Sequence, residues 1–376
     1  MRGELARELE RVEIADEQGA RERAWSLAQQ AFAEREPTPP RSRLPWIAAG
    51  AIAFAALATA FASPPGRAVI DRVREVVGVQ QAAPALFSSP APGRVLVSSS
   101  SGTWVVQANG SKRRLGDWQQ ASWSPFGRFV VTAGGNELAA VEPGGAVRWT
   151  LARPRPRVPS WGGSRTDTRI AYVEGGSLRV VAGDGTGDRA SCKKAVSPVA
   201  PAWQPGSRRI LAVATRSGAV AVYAVDTCRV VWHSRSGGAP AKLEWSSDGR
   251  RLLVLASRGL RVYDTRGRVV AEDDPSDGTF DADATFVPGG HRVVVIRVHG
   301  SQSDVFSLAS GRSLFHVVGT LGQIVPSPSG RWLLVTWPAA DQWIFVRTNG
   351  RGIRAVSNIA EQFEAASFPK VEGWAP

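Results

Sequence analysis

The chain has 376 residues, 43% of them hydrophobic, and a formal net charge of +13, a composition that suits a globular protein. Its two cysteines are too few for a four-ligand structural zinc site, and its four histidines lack the spacing of zinc hydrolases. Only five of the 46 basic residues are lysines, so a preference for arginine codons accounts for part of the charge. A nucleic-acid binder should cluster its charge on one face or helix, so the codon preference is the favoured explanation and nucleic acid is not an expected partner.

Residues 1–36 have the pattern of amphipathic helices. Leu5, Leu9 and Val12 recur at helical spacing, and so do Leu27 and Phe32 with the alanines around them. Pro37 ends the run. The segment is predicted to be a helical tail in the cytoplasm, where it could bind a protein partner.

Residues 44–62 are predicted to form a single transmembrane helix. Trp46 to Ala62 carries no charge, which is at the short end for a spanning helix. Two other interpretations are open. The small residues Ala60 and Ala62 fit a signal-peptide cleavage site, although the preceding region is long and rich in Glu and Asp, whereas signal n-regions are short and basic. A buried core helix is the third, but nothing before the segment could cover it.

The predicted location is the cytoplasmic membrane, with the N-terminus in the cytoplasm and the larger part outside. Arginines near the segment are balanced, three on each side, so this orientation depends on the behaviour of an uncleaved signal anchor. Residues 63–90 are predicted to be a juxtamembrane helix and linker. The helix, near residues 67–79, could pack under the next domain or lie on the membrane surface.

Residues 91–376 contain a repeat of 38 to 43 residues. A polar turn follows an aromatic residue in WSPFGR, WQPGSR, WSSDGR and FVPGGH, and degenerate copies follow at PSPSGR and PKVEG. After each turn comes an apolar run, a second turn and further short strands. The anchors of the clearer copies are Trp123, Trp161, Trp203, Trp245 and Phe286.

Four strands in about 40 residues are one propeller blade, which buries its two faces only against neighbouring blades. The fold class is therefore predicted to be all-β, a β-propeller of seven blades, with six or eight as alternatives.

The turn motifs resemble the aromatic-Ser-Pro-Asp-Gly turn of TolB-like propellers, relatives of WD-repeat domains. The resemblance covers about 275 residues and implies the architecture rather than a function. Phe126 and Gly206 depart from the Asp-Gly pair of that turn, and the Gly-His and Trp-Asp pairs of true WD repeats are missing.

Motifs for catalysis are missing from the sequence. It has no GxSxG nucleophile elbow, no phosphate-binding GxxxxGK[ST] loop and no dinucleotide-binding GxGxxG motif. Acidic pairs such as Asp273 and Asp274 lack the spacing of a calcium loop. No cofactor, metal or catalytic residue is predicted.

Cys192 and Cys228 lie 36 residues apart, near one repeat length. They either pair in an oxidising compartment or stay free.

A basic residue follows the turn in most blades. Equivalent positions share one face of a propeller, so these residues could form an anion-binding rim for lipid headgroups, an acidic polymer or an acidic protein. The alternative is that exposed turns simply contain the arginine that this composition supplies. The predicted rim consists of Arg94, Arg128, Arg208, Arg250, His291 and Arg331.

Three functions follow from these patterns. The favoured one is a non-enzymatic module that binds or scaffolds a protein or anionic polymer outside the membrane. The second is a transmembrane regulator with the layout of an anti-sigma factor, whose tail grips a cytoplasmic partner, although the tail contains no zinc motif. The third is an enzyme that uses the central channel of the propeller.

Overall fold

The computed structural model describes residues 88–206, 209–234, 237–276 and 278–376. The predicted tail (1–36), the predicted membrane span (44–62) and residues 63–87 lie outside these ranges. Within them, no helix is both long enough and apolar enough to cross a membrane.

The described residues form seven antiparallel sheets of four strands each. Strands follow one another from the inner to the outer edge of six sheets. These strands are β4 (Gln120–Trp123), β5 (Val130–Gly134), β6 (Glu137–Val141), β7 (Val147–Ala152); β8 (Arg157–Gly163), β9 (Thr168–Glu174), β10 (Ser177–Ala182), β11 (Arg189–Ala195); β12 (Ala202–Trp203), β13 (Ile210–Ala214), β14 (Val220–Ala224), β15 (Arg229–His233); β16 (Pro240–Trp245), β17 (Arg251–Ala256), β18 (Gly259–Asp264), β19 (Val269–Asp273); β20 (Thr279–Phe286), β21 (Val293–His299), β22 (Gln302–Ser307), β23 (Ser313–Val318); and β24 (Ile324–Pro326), β25 (Trp332–Trp337), β26 (Gln342–Arg347), β27 (Ile353–Ser357).

Blade 1 is assembled from both ends of the described chain. Its outer three strands are β1 (Arg94–Ser99), β2 (Gly102–Val106) and β3 (Lys112–Gly116), whereas its inner strand is β28 (Lys370–Ala375). β28 pairs with β1 in antiparallel register, which joins the last strand to the first and closes the ring. The prediction of seven blades is confirmed. Among the described residues, helix is confined to a 3-10 turn (Pro338–Ala340) and the short α1 (Ile359–Gln362).

The hydrophobic core is divided among the interfaces between neighbouring blades. Seven clusters of buried residues occur, and each joins the strands of adjacent sheets, as Val254 joins Ala212 between blades 4 and 5. The second strand of each blade is buried on both faces and is apolar nearly throughout, as in WLLVTW of β25. Outer strands such as β19 are mostly exposed. A single blade would leave both faces in water, so the repeats stabilise one another.

Hydrogen bonds within the repeated turn explain why serine and glycine recur in it. In blade 5 the Ser246 hydroxyl accepts the N–H of Arg251 at 2.9 Å, and Ser124 and Ser327 accept the equivalent N–H groups in blades 2 and 7. Gly249 has φ +68°, in the left-handed region that side chains disfavour.

The predicted blade anchors lie at the ends of the inner strands. Three of the tryptophans donate their indole N–H to the inner strand of the preceding blade. The bonds run from Trp123 to Gly373 O (3.4 Å), from Trp203 to Ser160 O (3.0 Å) and from Trp245 to Ala202 O (3.1 Å). The anchors therefore hold neighbouring blades together as well as filling the core.

Replacing Trp245 with Phe is expected to lower the free energy of unfolding by about 1–2 kcal/mol beyond the loss of apolar contact, because Ala202 O loses a buried donor. Trp161→Phe is the matched control, since the indole nitrogen of Trp161 has no hydrogen-bond partner in the described structure. Urea unfolding of both full-length variants measures the difference. Equal losses would show that the hydrogen bond contributes nothing.

Side chains also join inner strands whose backbones do not pair with each other. A carboxylate or amide on one inner strand accepts a backbone N–H of the next. The four cases are Gln120 with Val158 (2.6 Å), Glu244 with Phe286 (3.0 Å), Asp283 with Ile324 (2.9 Å) and, from the connection before β24, Gln323 with Val371 (3.0 Å). These contacts satisfy donors that would otherwise face the channel unpaired.

Candidate functional site

The two ends of the propeller differ in what forms them. In an antiparallel blade, the first-to-second and third-to-fourth strand connections lie at the same end. Residues 88–93 lead into β1 at this end, where the Ser89 N–H donates to Ala108 O at 2.7 Å. We name it the linker end. The opposite end holds the second-to-third connections and the links between blades.

Arginine is concentrated at the linker end. Its described connections contain ten arginines and six carboxylates, against four and five at the opposite end. The linker-end residues are Arg128, Arg165, Arg209, Arg250, Arg266, Arg268, Arg292, Arg312, Arg331 and Arg351, with Glu142, Asp167, Asp184, Asp188, Asp226 and Asp248. The opposite-end residues are Arg153, Arg155, Arg216 and Arg258, with Asp117, Asp274, Asp341, Glu361 and Glu364.

The predicted rim residues that the structure describes lie at the linker end, but their surroundings differ. Arg94 donates to the carbonyl oxygens of Gly127 and Pro376, each at 2.8 Å, and lies over the Trp123 ring. Its guanidinium therefore ties the closing blade to blade 2. Arg128 is exposed and lies over Phe129. Arg208 is outside the described residues.

Two further members of the rim, His291 and Arg250, lie close to the carboxylate of Asp248. His291 lies 2.8 Å from this carboxylate, and Arg250 lies 3.8 Å away. Desolvation acts to raise the pKa of Asp248, but hydrogen bonds from Ser246, the Arg250 backbone and His291 outweigh it and lower the pKa to about 2. Asp248 is therefore ionised at neutral pH and neutralises part of the charge of blades 5 and 6.

Unpaired charge is greatest between blades 6 and 7. Five exposed arginines surround the connection between β26 and β27, residues 348–352. They are Arg292, Arg312, Arg331, Arg347 and Arg351, which we call the arginine patch. Of the predicted rim, it includes only Arg331.

Backbone contacts hold the patch together. Arg292 donates to Thr348 O at 3.2 Å, and Arg312 donates to Asn349 O at 2.6 Å. The backbone of Arg331 accepts the N–H of Thr348 at 3.0 Å. The guanidinium of Arg347 lies 5.0 Å from the centre of the Trp332 ring. Each arginine thus touches or flanks the same short turn.

The patch has no counter-charge among the residues that the structure describes. The linker-end connections of blades 6 and 7 contain no Asp or Glu, and none of the five arginines forms an ion pair with a described residue. Between blades 3 and 4 the situation is the opposite. There Arg209 bonds to both Asp167 and Asp226, and Arg169 and Arg189 pair with the same carboxylates. Among the described residues, the patch thus brings five guanidinium groups without an ion-pair partner to one turn.

Sequence reasoning missed four members of the patch because it followed only the turn after each aromatic anchor. Arg312 and Arg351 end the turns SGR and NGR, which connect the third and fourth strands of blades 6 and 7. A search for Gly-Arg at both turns of the repeat would have found these two. Their closeness to Arg292 and Arg331 required the structure.

Cys192 and Cys228 form a disulfide in the structure, with their Cα atoms 5.0 Å apart. Cys192 lies on β11 of blade 3 and Cys228 in the connection before β15 of blade 4. The bond therefore links the outer parts of two blades.

The inner strands of blades 5 and 6 carry ionisable groups that pair with one another. Lys242 lies 3.0 Å from Asp283 and 3.5 Å from Glu244. Desolvation opposes the charge of Lys242, yet these carboxylates raise its pKa above the ordinary value. Within the described ranges, no group of three or more His, Cys, Asp or Glu side chains could hold a metal ion.

Comparison with known proteins bears on the fold. No protein-family model and no curated protein matches the sequence. The β-propeller domain of Myceliophteria thermophila Cps50 (Swd1) is similar in structure, with a TM-score of 0.53 and 15% identity over 65% of this chain and 90% of that chain. KlHsv2 with loop 6CD replaced by a Gly-Ser linker has a TM-score of 0.52 and 12% identity over 71% of this chain and 94% of that chain.

Kuenenia stuttgartiensis hydrazine synthase matches more weakly, with a TM-score of 0.46 and 16% identity over 61% of this chain and 76% of that chain. Identities this low show the fold alone. The described residues form a seven-bladed β-propeller; the resemblance to TolB-like and WD-repeat propellers stays a prediction.

Proposed function

We propose that this protein is a membrane-anchored, extracytoplasmic β-propeller that binds an anionic partner at its linker end without catalysing a reaction. The observation that carries the proposal is the arginine patch, five exposed arginines without a described carboxylate partner. Arginine holds carboxylate or phosphate groups through two parallel hydrogen bonds. Unpaired guanidinium groups repel one another, so an anionic ligand would stabilise this surface.

The predicted membrane span supports the anchoring, and the disulfide supports the extracytoplasmic location, because disulfides persist in oxidising compartments. The structural contacts of Lys242 and Asp283 favour binding over catalysis in the channel.

Binding of a soluble polyanion tests the proposal. The full-length protein in neutral detergent micelles is titrated with fluorescent polyphosphate. The variant Arg292→Gln, Arg331→Gln, Arg351→Gln is expected to bind about ten-fold more weakly, since each exposed charge pair contributes roughly 0.2–1 kcal/mol.

The matched control is Arg155→Gln, Arg216→Gln, Arg258→Gln. It makes the same change in charge with three exposed arginines of the opposite end. The control is expected to bind as the wild type does. Equal weakening by both variants would mean that net charge alone drives binding and that the patch is not a site.

A further inference from the structure

We infer that the anionic partner of the linker end is a lipid surface, which the propeller meets with this end facing the headgroups. The inference rests on the proposed function and adds the chemistry of the partner. Three observations carry it: the path of the chain, the unpaired arginines, and the position of exposed apolar side chains.

The path of the chain brings the linker end toward the membrane. Residues 88–93 join the propeller at this end, next to blade 1. The predicted span ends at residue 62, so about 25 residues connect the two. A chain of this length bridges roughly 30 Å on average, whether coiled or partly helical. That distance keeps the linker end at a high local concentration over the bilayer.

The charge of the linker end fits phospholipid headgroups. Blades 6 and 7 present guanidinium groups there without a carboxylate in their connections. A basic residue close to an anionic membrane contributes about 1 kcal/mol to binding. The five arginines of the patch are therefore enough to orient a domain that its linker already holds near the surface.

Exposed apolar side chains lie mostly at the same end. Six of the nine large hydrophobic residues that are exposed lie within two positions of a linker-end connection. Val231 lies midway along β15, and Phe280 and Val318 lie toward the opposite end. The six are Phe126, Val147, Val230, Val269, Val270 and Ile353.

A soluble polyanion would gain nothing from these apolar residues. A lipid surface would, because membrane-surface elements combine basic and apolar side chains, and the apolar ones enter the headgroup boundary. Phe126 has Arg165 over its ring at 5.0 Å, so the two kinds of side chain occur side by side. This favours lipid over a soluble acidic polymer.

The test measures how close each end of the propeller comes to the bilayer. The sequence has two cysteines and they pair with each other, so a dye can be placed on Ser329→Cys at the linker end or Ser257→Cys at the opposite end. The full-length protein is reconstituted into vesicles of phosphatidylcholine alone or of an equal mixture with phosphatidylglycerol. Energy transfer to a headgroup-labelled lipid reports the distance.

Transfer from position 329 is expected to rise when phosphatidylglycerol is present, and transfer from position 257 is not. The change at position 329 should disappear in the variant Arg292→Gln, Arg331→Gln, Arg351→Gln and persist in the Arg155→Gln, Arg216→Gln, Arg258→Gln control. Equal transfer in the two kinds of vesicle, or a larger rise at position 257, would overturn the inference.

The polyphosphate titration separates this failure from failure of the proposed function. If patch-dependent polyphosphate binding persists without any response to phosphatidylglycerol, the partner is a soluble anion and only the lipid inference is wrong. If neither is observed, both are wrong.

Discussion

Replacing Asp283 with Ala is expected to lower the free energy of unfolding by about 3–5 kcal/mol, the range for breaking a largely buried ion pair from one side. Its side chain is 11% exposed. One carboxylate oxygen accepts the Lys242 ammonium at 3.0 Å and the Ala284 N–H at 2.8 Å, and the other accepts the Ile324 N–H at 2.9 Å. The substitution would leave all three donors without this acceptor at the junction of blades 5, 6 and 7.

Urea unfolding of the full-length protein in detergent micelles, followed by tryptophan fluorescence, measures this loss. Asp274→Ala is the control, because Asp274 is 59% exposed and its pairing with Arg261 spans 3.8 Å. The control is expected to lose less than about 1 kcal/mol. If the two variants lose the same amount, the link between inner strands does not stabilise the ring.

Much of the architecture could be predicted because the same pattern of strands and turns recurs several times along the sequence. In a turn such as WSSDGR, Ser246 makes a local hydrogen bond and Gly249 has a positive φ, so the motif alone predicts the turn. The long apolar runs predict strands that are buried on both faces. Because the repeat occurs several times, the degenerate copies of the turn at Pro326 and Pro369 are recognisable from their spacing.

Contacts between blades could not be predicted, because they join residues about 40 positions apart. Gln120, Asp283 and Gln323 each lie three residues before the anchor of their repeat, but Glu244 lies one residue before Trp245. The sequence does not show which backbone N–H each side chain accepts. The ring closure by β28 is also a contact between residues far apart in the sequence. Each repeat in the sequence begins at the second strand of a sheet, so the inner strand of the first sheet comes from β28 at the other end of the described chain.

The candidate site was predicted only in outline for a related reason. A ring of turn arginines assumes that all blades are equivalent, but the structure shows that neighbours decide what each guanidinium does. Arg94 takes part in ring closure, Asp248 lies beside both Arg250 and His291, and Arg331 belongs to the arginine patch. The asymmetry in charge therefore arises from the carboxylates, which occur in the described linker-end connections of blades 2 to 5 and are missing from those of blades 6 and 7.

Removal of the disulfide by Cys192→Ser and Cys228→Ser is expected to lower the free energy of unfolding by roughly 3–4 kcal/mol. The bond closes a loop with a sequence separation of 36 residues, and chain entropy gives that value for a loop of this length. Reduction of the wild type should produce the same loss. The double variant should not respond to reductant, since the sequence has no other cysteine.

The position of the disulfide makes the effect specific to one part of the ring. Outer strands are the least buried part of each blade, and β15 of blade 4 is mostly exposed. Opening of this edge should therefore come before global unfolding, and amide exchange in β11 and β15 should quicken in the double variant while exchange in β25 stays slow. Uniform acceleration across both regions would show that the ring unfolds as one unit and that the disulfide acts only on the unfolded chain.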